Sequence, residues 1–162
     1  MYRFKFIACS CLFVLLLSGL AVAQGWAGNG ANWASPGVAS VQLPAGYSPM
    51  VQGPLLIGIT TVGHTVAVRA CSNDAEAAAV YSQMEKMSGS GFGPAQVSKR
   101  PNGELSVREG AENFSDGRHG INILARLSYQ HKSVIFLMST INSNISQDKP
   151  IFERVYGSVR WI

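Results

Sequence analysis

Three cysteines and three histidines are the side chains of this sequence best suited to nucleophilic catalysis or metal ligation. Cys71 stands where a β pattern gives way to a helical one, and a thiol near a helix N-terminus can have its pKa lowered into the reactive range. Such a thiolate would act as a nucleophile with His64, His119 or His131 as its base. The opposing reading is a small buried hydrophobe, because no active-site signature surrounds Cys71. Metal chemistry needs ligands at short spacing, and neither His-Glu-x-x-His nor Cys-x-x-Cys occurs; Asp116 with His119 is only a two-ligand fragment. Gly89-Ser90-Gly91-Phe92-Gly93 resembles a phosphate-cradling loop but follows a helix pattern instead of opening one, so no free N–H groups point at an anion. Glu104, Glu109, Glu112 and Asp116 lie along one hairpin and its following loop, and paired-carboxylate catalysis would require two of them to face each other across a cleft. No cofactor and no metal site is expected from these residues. Asn113 and Asn144 open Asn-x-Ser triplets, which matter only in a host that glycosylates exported proteins.

The elements that position these groups begin after a leader. Arg3 and Lys5 precede a nearly unbroken apolar run from Ile7 to Leu17, and Ala21-Val22-Ala23 is the small-x-small pattern of a signal-peptidase site. Residues 1–23 therefore read as a secretory signal peptide, about fifteen apolar residues long where a membrane span needs about 20. Cys9 and Cys11 lie at the start of the apolar core, not at the cut where a lipoprotein cysteine sits, and leave with it. Removing 23 residues from 162 leaves 139, enough for one domain, and lowers the formal charge from +4 to +2 through loss of Arg3 and Lys5. So small an excess of positive charge argues against a nucleic-acid partner. Cys71 is then the sole cysteine, and stability in a disulfide-permissive compartment must come from packing.

Residues 24–37, rich in Gly, Ala, Ser and Asn, read as a flexible N-terminal arm in which Trp26 and Trp33 either tuck against the domain or form a contact surface. Residues 38–162 read as one α+β domain. Strands are expected at 38–43, 55–62 and 65–71, with Gly63-His64 as a tight connection and Val66, Val68 and Ala70 on an apolar face. Asn73 and Glu76 form a capping box, Ala77, Val80, Tyr81, Met84 and Met87 make a helical stripe, and Gly89 stops it. Pro101-Asn102-Gly103 closes a charged edge hairpin over 96–109, whose Arg100, Asn102 and Arg108 are candidate contact residues. A longer hairpin over 121–141 contains a run, 134–138, that is apolar at every position, as a strand covered on both faces would be. Asp148 reads as a cap with Pro150 in the first turn of a second helix, whose stripe of Ile151, Phe152, Val155 and Val159 either continues through Gly157 or stops there and leaves Val159 to Ile162 as a short last strand.

The late apolar hairpin, 125–138, and the closing segment Phe152-Glu153-Arg154-Val155 with Ser158-Val159-Arg160-Trp161 resemble the PsbP-like family. The resemblance is one of element order over residues 38–162, and the family's early aromatic and Pro-Gly signature is only faint in Leu43-Pro44-Ala45-Gly46-Tyr47. It implies an antiparallel sheet of six or seven strands with two helices packed on it, an α-β-α sandwich or a two-layer form. It also implies an exported accessory or binding protein, not a catalyst; with the leader this reads as periplasmic or secreted, with another exported protein or a cell-envelope component as partner, and no second apolar segment is long enough for a transmembrane anchor after cleavage. The alternatives are a small exported enzyme using Cys71, or a carrier of an apolar ligand.

Overall fold

The computed structural model describes residues 32–60, 64–114 and 116–162. Residues 1–23, read as a signal peptide, lie outside the described residues, as do Trp26 and Gly63. The chain runs β1 (Asn32–Ser35), β2 (Ala39–Gln42), β3 (Ser48–Gln52), β4 (Leu55–Ile59), β5 (Thr65–Cys71), α1 (Asp74–Ser88), β6 (Gln96–Arg100), β7 (Gly103–Asn113), β8 (His119–Tyr129), β9 (Lys132–Ile141), a 3-10 turn (Asn142–Asn144), α2 (Ile145–Ser158) and β10 (Arg160–Trp161). Seven strands form one antiparallel sheet in the order β3-β4-β5-β9-β8-β7-β6, and β1-β2-β10 form a second.

The alternation of side chains decides what covers each face of the large sheet. Val66, Val68 and Ala70 of β5 join Phe136 and Met138 of β9 in the larger core, against Phe152, Val155 and Tyr156 of α2 and the residues of the small sheet. Ala67 and Cys71 point the other way and meet Ala77, Val80 and Met84 of α1 together with Leu124 and Ile135. The run 134–138 is thus central and covered on both sides. The architecture is the expected α+β sandwich, with a helix on each face.

Helix α1 follows its sequence signals. The Glu76 N–H donates to Asn73 Oδ1 at 2.9 Å, and Gly89 at φ 64° closes the C-terminus with its N–H directed to Lys86 O. The Glu76 carboxylate returns to the Ser72 N–H at 2.9 Å instead of the cap residue's own.

Four expectations are corrected. Residues 32–35, read within the arm, form β1: Trp33 pairs with Val41 and is 5% exposed, so the indole finds its apolar surroundings in the larger core. β3 is an additional strand, tolerated despite Pro49 because it is an edge where one N–H can be missing. The β4–β5 connection is longer than two residues, since Ile59 pairs with Thr65 and Thr60 N–H bonds to His64 O. Finally, α2 starts at Ile145, so Asp148 is not a cap but a buried residue inside the first turn.

Candidate functional site

The turn Pro101-Asn102 brings β6 and β7 together at the rim of the large sheet, and α2 runs over the same face without covering it fully. Between them lies a surface groove of ≈ 420 Å³. Its floor is apolar, made by Val107, Ile123, Phe152 and Tyr156; its β wall is Gln96, Ser98 and Arg100. Two ion pairs span it: Arg100 grips Glu153 with two hydrogen bonds, at 2.6 and 3.2 Å, and Lys149 meets Glu109 at 2.8 Å. The rim is therefore charged but balanced. Such an arrangement suits recognition of a partly apolar group, and its two carboxylates, Glu109 and Glu153, are both held in ion pairs.

Of the contact residues expected from sequence, Arg100 alone lines this groove. Asn102 is used within the fold: its Nδ2 donates to the carbonyls of Tyr156 (2.9 Å) and Val159 (3.4 Å), and its own carbonyl accepts from Trp161 Nε1 at 2.6 Å. The turn thus clasps the C-terminal end of α2. Arg108 lies on the opposite face, donating to Glu85 Oε1 (2.7 Å), Gly93 O (2.9 Å) and Phe92 O (3.2 Å). Its side chain fastens the chain after α1 to β7. Trp33 is buried, and Trp26 is outside the described residues.

A second polar site was not legible in the sequence. Asp148 and His64 are both buried, and His64 Nδ1 lies 3.0 Å from Asp148 Oδ2. Thr140 Oγ1 also donates to Asp148, and Asn144 Nδ2 lies 3.5 Å from His64 Nε2. The pair joins the start of β5, the end of β9 and the first turn of α2. Tyr47 lies near it with its hydroxyl buried and unpartnered among the described residues; burial, and then the Asp148 charge, push the phenol up to about 12. With both nitrogens of His64 engaged inside the protein, this cluster positions α2 and has no face for a substrate.

Cys71 is fully buried beneath α1, and its thiol is pushed up to about 11 by burial and by Glu76, with Arg69 and Arg126 opposing. The histidines proposed as its base are engaged elsewhere: His64 with Asp148, His119 with Asn113 Oδ1 at 2.7 Å, and His131 with Asp74 at 3.7 Å. Asp116 bonds Arg118, not His119. Among the described residues, no group of three or more His, Cys, Asp or Glu side chains converges on a metal position, and no helix is long and apolar enough to cross a membrane.

The α helices on both faces of an antiparallel sheet define a PsbP-like fold. No family model matches the sequence, and no curated protein matches it. Among solved structures, the chain is similar to cyanobacterial PsbP, CyanoP, of Synechocystis: the TM-score is 0.58 at 14% identity, over 90% of this chain and 99% of that one. It is also similar to a protein of Bacteroides thetaiotaomicron, with a TM-score of 0.54 at 15% identity, over 83% of this chain and 49% of that one. At these identities the likeness is one of fold.

Proposed function

We propose that this is an exported, non-enzymatic accessory protein, periplasmic or secreted, that works by surface contact with another exported protein or a cell-envelope component. The groove between β6 and α2 is the contact surface, and the observation that carries the reading is its combination of apolar floor and charge-balanced rim in a PsbP-like fold. The leader-like residues 1–23 support export. The test is chemical cross-linking in the native host of the protein and of Ser98→Trp, which fills the groove from its exposed wall without touching the core. Loss of a cross-linked species in Ser98→Trp, with Gln24 as the first residue of the recovered chain, is the expected result. An intact leader on cytosolic protein, or cross-linking indifferent to Ser98→Trp, overturns the reading.

A groove of this size with Val107, Ile123 and Phe152 beneath it also suits a small apolar ligand, and native mass spectrometry after gentle purification would reveal one as added mass. Thiol catalysis has less support. With its pKa near 11, Cys71 should be alkylated at pH 8 on the order of 100-fold more slowly in the folded chain than after unfolding.

A further inference from the structure

The large sheet ends at β6, and among the described residues no strand lies beyond it. Arg100 and Gly103 flank a two-residue turn and exchange both N–H and C=O groups, so the antiparallel alternation directs Ser98 and Gln96 toward β7 as well. The N–H and C=O of Val97 and of Lys99 therefore point away from the sheet, four backbone groups in strand geometry facing solvent.

Side chains along the same edge supply a code. Val97 and Lys99 stand on the α1 face, opposite Ser106 and Glu104 of β7. Val97 is 60% exposed, and Lys99 is exposed with no ion-pair partner among the described residues. Ser98 is on the other face, its small side chain forming a low wall of the groove. β6 carries Lys99 and Arg100 and no carboxylate, so an acidic partner strand meets complementary charge, which a second copy of β6 does not supply.

We propose that β6 takes up an extended segment of a partner protein as an added antiparallel strand. The segment places an acidic residue opposite Lys99, a large apolar residue opposite Ser98 that leans into the groove, and an aliphatic residue opposite Val97. The main-chain bonds supply attachment and the three side chains selectivity. This inference rests on the surface-contact reading and names the kind of partner it requires.

The probe is a capped pentapeptide, threonine-glutamate-phenylalanine-valine-threonine, titrated into ¹⁵N-labelled protein. Amide shifts should centre on Val97 and Lys99. Methylation of the glutamate or valine amide of the peptide should weaken binding about tenfold, whereas methylation at phenylalanine, whose amide faces outward, should not. Val97→Pro removes an outward N–H but no bond to β7, so it should abolish binding while thermal unfolding stays unchanged. Lys99→Glu should weaken binding about fivefold and favour a peptide with lysine in place of glutamate. Shifts centred elsewhere, indifference to amide methylation, or no shift at millimolar peptide overturns the proposal. The native cross-linking test separates the two readings: a species lost in Ser98→Trp but kept in Val97→Pro ends strand addition and leaves the contact surface standing. A species kept in both variants ends both.

Discussion

Helix α2 is tied to the sheet at two places by opposite means. At its first turn Asp148 is buried and gathers His64 and Thr140; farther along, Lys149 and Glu153 reach Glu109 and Arg100 through side chains that are each at least a third exposed. A buried carboxylate stripped of its partners cannot recover water, and a buried partner stripped of its carboxylate is equally stranded. A surface pair loses little, because water and salt replace it. The contrast separates the part of the helix that must stay from the part that can exchange one contact for another. The groove lies beside the second part.

The largest expected effect comes from the buried end. Asp148→Ala should destabilise the protein by about 3 kcal/mol in urea unfolding, since it leaves His64 and Thr140 buried without their acceptor. A loss below about 1 kcal/mol would reverse the ranking of the two ties. Next comes the clasp at the C-terminal end of α2, where Asn102→Ala should cost about 1–2 kcal/mol by freeing the carbonyls of Tyr156 and Val159. Arg100→Ala should cost less than about 1 kcal/mol, and its difference from the parent should shrink further in high salt. A large, salt-independent loss there would mean that the groove's rim is structural.

The smallest effect sharpens the comparison through pH. Tyr47→Phe removes a buried hydroxyl that has no partner among the described residues, so at neutral pH it should leave stability unchanged within about 0.5 kcal/mol. In alkali the two proteins should part. The folded state holds the Tyr47 proton to about 12 while the unfolded chain releases it near 10, so the parent loses stability as pH rises across that interval. Tyr47→Phe should lose less, with Tyr156 and Cys71, both also raised, accounting for the remaining decline. Identical alkaline profiles would place the Tyr47 hydroxyl in water.

Local signals in the sequence were sufficient for the central elements. The box at Asn73 and Glu76, the stripe through Ala77, Val80 and Met84, and the run 134–138 each depend on neighbours within a few residues, and each element formed where they indicated. What escaped depends on distant partners. Asp148 beside Pro150 has the look of a helix start; only the arrival of His64 and Thr140 in space makes it the buried anchor of a helix that begins at Ile145. β1 has no apolar alternation of its own and becomes a strand because Trp33 is accommodated against the larger core. The groove was half legible. Arg100 was visible as a charge on an edge hairpin, but its pairing with Glu153 and the floor of Phe152 and Ile123 arise from the crossing of α2 over β6 to β8, which no local pattern records.

The pairing of β2 with β10 bears on how the molecule is made. Arg160 and Trp161 lie beside Ser40 and Ala39, joining a late strand to an early one. During synthesis β2 leaves the ribosome long before β10 exists, so one flank of the small sheet stays unsatisfied until residues 160 and 161 emerge. Closure of that sheet therefore waits on the last element of the fold, and β2 keeps an open edge until residues 160 and 161 reach it.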